Sequence, residues 1–176
     1  MKNLQEYIQE SLLDSFDDIA SKMDIEEEIK KFLKDNYHIN LEDCDIIANG
    51  DLNMVNINND LVPRKYKFKT ITNHLFKFGN IVGSVDFSNC KLKSLEGCPE
   101  NVQGFFDIDG NDITSLEGAP KFIFGNFYCS NCLKLKSLEG GPEQIEGSAF
   151  IKYCGKKFTE KDVKKANIKV NDKIYL

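Results

Sequence analysis

The sequence predicts an α+β chain built around a short parallel β solenoid of about four coils. A helix is expected to cover its front, and a helix followed by a hairpin its back. Three observations predict this. The string Ser-Leu-Glu-Gly occurs at 94–97, 115–118 and 137–140, and each copy is followed by one variable residue and a proline: Pro99, Pro120 and Pro142. Apolar residues between these landmarks follow one template with a period of 21 residues, stretched once to 22 by an insertion near Leu133. Helix-start signals flank the array on both sides.

A chain of 176 residues, 41% of them hydrophobic, can bury one sizeable core with a small appendage. No apolar run approaches the roughly 18 residues of a membrane helix, and residues 1–11 carry acids and glutamines where a secretory signal needs an apolar stretch. The chain is therefore expected to stay inside the cell that makes it, with no membrane partner. Charge is unevenly placed: residues 1–60 hold 15 acids against 5 lysines, and the remaining 116 hold 18 basic residues against 13 acids. The basic stretches at 64–77 and 152–173 fall well short of a nucleic-acid binder's footprint, so no nucleic acid is expected. Six cysteines without an export signal read as reduced thiols and not as a disulfide framework.

Residues 1–23 form the first unit. Leu4, Tyr7, Ile8 and Leu12 share one face of a short amphipathic helix, and the polar stretch after Asp14 reads as an acidic linker. A helix this short gains little from its own propensity, so something else must hold it. Residues 24–176 form the repeat domain. Asp24-Ile25-Glu26-Glu27 caps a helix whose Ile25, Ile29, Phe32 and Leu33 follow helical spacing, and residues 24–35 are expected to cover the front of the stack. Val55 and Ile57 begin an early, poorer coil, and 78–83 looks like the tail of a degenerate repeat, so 24–83 is cap and degenerate coil.

The regular repeats occupy 84–154. Val85, Phe87, Cys90, Leu92 and Leu95 stand at relative positions 1, 3, 6, 8 and 11. Phe106, Ile108, Asn111, Ile113 and Leu116 repeat that spacing, and Phe127, Cys129, Cys132, Leu135 and Leu138 repeat it with the insertion. Ala149, Ile151 and Cys154 begin a fourth copy. Positions 1 and 3 alternate as a short strand that stacks in parallel on the next coil. A hydrogen-bonding side chain at position 6 can satisfy buried backbone groups of neighbouring coils, which explains the file Cys90, Asn111, Cys132 and Cys154. Gly97, Gly118 and Gly140 suit a tight turn that needs positive φ. In 155–176, the back of the stack, Thr159 to Asp162 is a capping-box signal for a helix reaching about Ala166. Residues 168–175 then alternate around Asn171-Asp172 as a final hairpin.

The template L-x-L-x-x-(N/C)-x-L-x-x-L resembles the leucine-rich repeat, here unusually rich in Phe and Ile, so the fold is leucine-rich-repeat-like. The front segment resembles the capsid-targeting peptides of internal head proteins in large tailed phages, which begin M-K-x-x-Q-E-(F/Y)-I-x-E-(A/S). Met1, Lys2, Gln5, Glu6, Tyr7, Ile8, Glu10 and Ser11 match it. The resemblance implies docking to capsid or portal through Leu4, Gln5, Glu6, Tyr7, Ile8 and Glu10, and cleavage before Ser11 by a prohead protease. The body is similar to leucine-rich-repeat proteins encoded by phages, in which a TSLEG-A-P-K string recurs as at 114–121. In that group an F-T-E-E-D-V-K-K segment closes the array as 158–165 does here, with Lys161 in place of the second Glu.

Other chemistry finds little support. Cys129 and Cys132 form a CxxC, but zinc needs four converging ligands, and neither His38 nor His74 belongs to the repeats. The run 107–112 fails as a calcium loop because its glycine falls at position 4 and Gly118 stands where a bidentate glutamate is required. Glu96, Glu117 and Glu139 recur once per coil as a solvated row, and no catalytic triad, phosphate loop or dinucleotide fingerprint appears. The expectation is a non-enzymatic protein without metal or cofactor. It binds a protein partner through outward residues of the strand and adjoining turn, chiefly Asp86, Lys91, Asp107, Asp109, Tyr128, Lys134, Phe150 and Tyr153. Its expected places are the capsid interior and the host cytoplasm. The competing expectation is an unpackaged intracellular inhibitor or adaptor that binds a host protein.

Overall fold

The computed structural model describes residues 25–47, 53–63, 71 and 76–176. The front unit, with Leu4, Gln5, Glu6, Tyr7, Ile8 and Glu10, lies outside these residues, as do Asp24 and most of the basic stretch at 64–77.

The described chain is a parallel β solenoid of about five turns with few helices. Each regular turn contributes two short strands, one on either side of a glycine corner, and then an irregular return arm. The first strands build a seven-stranded sheet from β1 (Cys44–Ile47), β2 (Asn53–Ile57), β3 (Phe76–Ile81), β5 (Asn101–Val102), β7 (Phe122–Ile123), β9 (Gln144–Ile145) and β11 (Lys169–Val170). The second strands build a five-stranded sheet from β4 (Val85–Asp86), β6 (Phe106–Asp107), β8 (Phe127–Tyr128), β10 (Ala149–Phe150) and β12 (Ile174–Tyr175). Every named strand pair is parallel except β1 with β2.

Sequence reading anticipated one strand per turn, at positions 1 and 3. The strand before the corner was hidden because each copy is only two residues long, with a single buried side chain: Val102, Ile123 or Ile145. The corner explains the closing glycines. Gly104 donates its N–H to Gly83 O at 2.8 Å and Gly125 its N–H to Gly104 O at 3.0 Å, so the glycines stack as a column. A Cβ on Gly125 would stand 2.6 Å from the carbonyl carbon and oxygen of Gly104. Gly97, Gly118 and Gly140 take φ of 88°, 87° and 73°, as the turn demands.

The anticipated final hairpin is not formed, and this also carries the count from four coils to about five. β11 pairs in parallel with β9, and β12 pairs in parallel with β10. Asn171 and Asp172 sit at one more corner, donating their amides to Ile145 O and Gly147 O. Winding on in this way pairs the edges of β9 and β10, whereas a hairpin pairs its strands with each other and leaves those two edges bare.

The position-6 file is present. The Asn111 amide donates to Phe87 O and Ile108 O, both at 2.9 Å, and its oxygen accepts from Leu92 N–H at 2.9 Å. The Cys132 thiol donates to Ile108 O at 3.3 Å and the Cys154 thiol to Cys129 O at 3.1 Å. Thus three successive members reach the position-3 carbonyl of the turn before. Inside, the Phe106 and Phe127 rings stack with centroids 6.0 Å apart at 8°.

Helix α1 (25–36) sends Ile29 and Leu33 into the same core, while Ile25 is exposed. Tyr37, Phe76 and Phe78 close an aromatic cluster there, with Phe32 edge-on to Phe76. Helix α2 (Glu160–Lys165) starts as expected: the Asp162 carboxylate accepts from the Thr159 amide at 2.9 Å and its hydroxyl at 2.7 Å. No helix among the described residues is long and apolar enough to cross a membrane.

Asn111→Ala is expected to cost about 3 kcal/mol, since it orphans several buried backbone groups. Asn111→Cys, the residue used in the turns on either side, should cost less, and urea midpoints compare the two. Gly125→Ala should destabilise by about 1–3 kcal/mol through the clash with Gly104, read in the same way.

Candidate functional site

Strand alternation turns position 2 of each turn outward, and parallel register places these residues in one row. In order they are Asp86, Asp107, Tyr128, Phe150 and Tyr175. The row is acidic at the front and aromatic at the back. Tyr128 and Phe150 stack with centroids 4.9 Å apart, and Phe150 and Tyr175 with centroids 4.6 Å apart at 6°. Lys152, one alternation further on, sets its ammonium 5.1 Å from the Tyr175 ring centroid.

Further aromatic side chains are exposed on either side of the corner. Phe105, just past the corner, stands edge-on to Tyr128 at 6.0 Å. Beyond the corner, Phe122 and Phe124 are exposed on the seven-stranded sheet, Phe124 by 56%, and Val82 is exposed in the row of Phe124. Sequence reading missed these residues because it had no strand there. The signal was available in Phe122-Ile123-Phe124, an alternation whose central residue alone is buried.

The expected contact residues divide into groups. Tyr128 and Phe150 come together as described. Asp86, Asp107 and Asp109 also cluster, but they are half-buried and their carboxylates hold backbone. Asp86 accepts from Ser88 N–H at 2.9 Å, Asp107 from Asp109 N–H at 2.8 Å, and Asp109 from Ser130 N–H. Burial pushes the Asp107 carboxyl up to about 6, with the charges of Asp109 and Asp86 adding to the rise, and burial likewise raises Asp109. Lys91, Lys134 and Tyr153 lie off the strands, on the turns that follow. Lys134 is paired with Asp112 at 3.0 Å, and Tyr153 is 76% exposed.

The thiols differ in how readily they ionise. Burial pushes Cys90 and Cys44 up to about 11, and Cys129 is held well above its ordinary value by its neighbours Cys132 and Cys154 and by burial, whereas the hydrogen bond with Cys129 holds Cys154 below its ordinary value. Among the described residues, no group of three His, Cys, Asp or Glu side chains is placed to hold a metal ion. The chain matches no protein-family model, no curated protein and no solved structure.

Because its folded value is raised, ionised Asp107 opposes folding above about pH 6, and the opposition fades as the pH falls towards its ordinary value of 3.8. Asp107→Asn is therefore expected to raise the denaturation midpoint at pH 7.5. That gain should shrink progressively towards pH 4 in urea titrations at the two pH values.

Proposed function

We propose that the protein is a non-catalytic protein-binding solenoid of a tailed phage, carried in the capsid through its front segment. The observation that carries the binding reading is the outward aromatic band of Tyr128, Phe150 and Tyr175 with Phe105, Phe122 and Phe124 beyond it. Large apolar side chains presented together to solvent mark interaction surfaces, and aromatic rings supply much contact area at low entropic cost. The repeats hold this surface rigidly, while α1 and the α2 segment serve as covers for the two ends of the stack.

The packaging part of the reading rests on Met1, Lys2, Gln5, Glu6, Tyr7, Ile8, Glu10 and Ser11, and the phage source also on the closing segment 158–165. It assigns capsid or portal binding to the front segment and partner binding to the solenoid face. The proposed locations are the capsid interior and the host cytoplasm, and the proposal includes neither membrane nor nucleic acid.

Mass spectrometry of purified particles is expected to find a chain that begins at Ser11 and to lose it when residues 1–20 are deleted. A protein absent from particles, and active without residues 1–20, would be the unpackaged adaptor instead. For the face, Phe124→Ala should weaken capture of the partner found by pull-down from infected cells by about 2 kcal/mol, roughly thirtyfold. Titration calorimetry measures it.

A further inference from the structure

The turn of β9 and β10 differs from the three before it in the residue that occupies one special backbone position. Position 5 takes a left-handed conformation in four successive turns: Asn89 at φ 53°, Gly110 at 68°, Asn131 at 57° and Tyr153 at 54°. Asn and Gly adopt that conformation readily, whereas a bulky side chain is strained there. Tyr153 recovers nothing by burial, because it is 76% exposed. Lys91, exposed as well, takes φ 61°.

Tyr153 lines a cleft of about 440 Å³ at the back of the solenoid. Ile151, Phe158 and Leu176 supply its apolar lining, and Lys152, Lys156 and Lys157 stand around it. Lys156 is neutralised by Asp162 at 2.6 Å. Lys152 and Lys157 pair with no carboxylate among the described residues. The surrounding segment 152–173 holds eight lysines against three acids. A second copy presenting the same end would set lysines against lysines, whereas an acidic chain is drawn to it.

The backbone beside the cleft also suits a chain. β12 is the outer strand of its sheet. The carbonyls of Lys173 and Tyr175 accept from Ala149 and Ile151, which leaves the N–H and C=O of Ile174 on the open side. An extended peptide can add to such an edge, its side chains choosing the pockets beside it.

We infer that this cleft receives an extended acidic segment of a protein partner. An aromatic or large aliphatic side chain enters beside Tyr153, and flanking carboxylates pair with Lys152 and Lys157. The inference rests on the protein-binding reading above and gives that reading a second surface and a partner chemistry.

The test pans a library of random peptides on the full-length protein and titrates a selected, labelled peptide by fluorescence anisotropy. Selected sequences should place Asp or Glu beside an aromatic or large aliphatic residue, and binding should weaken with added salt. Lys152→Glu with Lys157→Glu should reduce affinity at least about tenfold. Tyr153→Gly should reduce affinity similarly while raising the thermal midpoint, because glycine relieves the strained backbone; a merely structural tyrosine would not separate the two readouts. Selection without acidic bias, unchanged affinity in both variants, or displacement of the peptide by oligothymidylate overturns the inference. If affinity falls only with Phe105→Ser or Phe124→Ser, the protein-binding reading stands and the cleft inference fails. If the protein retains neither a peptide nor a partner from infected cells, the reading itself fails.

Discussion

The structure depends on one constraint: where each turn leaves its second strand, the backbone carbonyl of the previous turn must find a donor inside the core. Asn111, Cys132 and Cys154 supply it, each reaching the position-3 carbonyl one turn earlier. A buried carbonyl without a partner costs more than a typical hydrogen bond returns, so this requirement is strict. It also ties neighbouring turns together, because a donor in one turn serves an acceptor in another. No turn can bury its own aromatic ring alone, and the stacked Phe106 and Phe127 show how the core is shared along the axis.

The glycine column has the complementary role of letting backbones approach. At the corner the chain leaves one sheet and enters the other, and each corner amide bonds to the corner below it. Two sheets then diverge from a narrow ridge, and residues just before and after the ridge face outward on both sides. Phe122 and Phe124 are exposed on one side of that ridge, and Phe105 stands against Tyr128 on the other. A repeat with only one sheet would confine outward contacts to one flank.

Repetition generates the row of position-2 residues, and the individual residues decide its chemistry. Asp86 and Asp107 at the front are partly consumed in holding backbone, and burial disfavours the charge of Asp107. Tyr128, Phe150 and Tyr175 are occupied face to face with one another and present mainly their edges. At the back, lysines replace acids and the edge of β12 is open. The two ends therefore offer different chemistry on one frame.

Much of this was legible from residue order alone. The period, the stacked file of Cys90, Asn111, Cys132 and Cys154, the positive-φ glycines and the Thr159–Asp162 start of α2 follow from local rules, since spacing and backbone permissiveness act over a few residues. The expected partner residues were partly legible: alternation alone placed Tyr128 and Phe150 outward, but nothing local showed that Asp109 would be spent on the Ser130 amide one turn later. The strands before each corner are two residues long, too short for any periodicity to mark, and they exist only because neighbouring turns hydrogen-bond to them. Residues 168–175 make the same point, because their alternation fits a hairpin and a solenoid turn equally well. The sequence by itself determined a repeating coil and which side chains it buries. Tertiary structure alone decided the second sheet, the fate of the last two strands and the outward company of Phe122 and Phe124, because each depends on hydrogen bonds between segments about 21 residues or more apart.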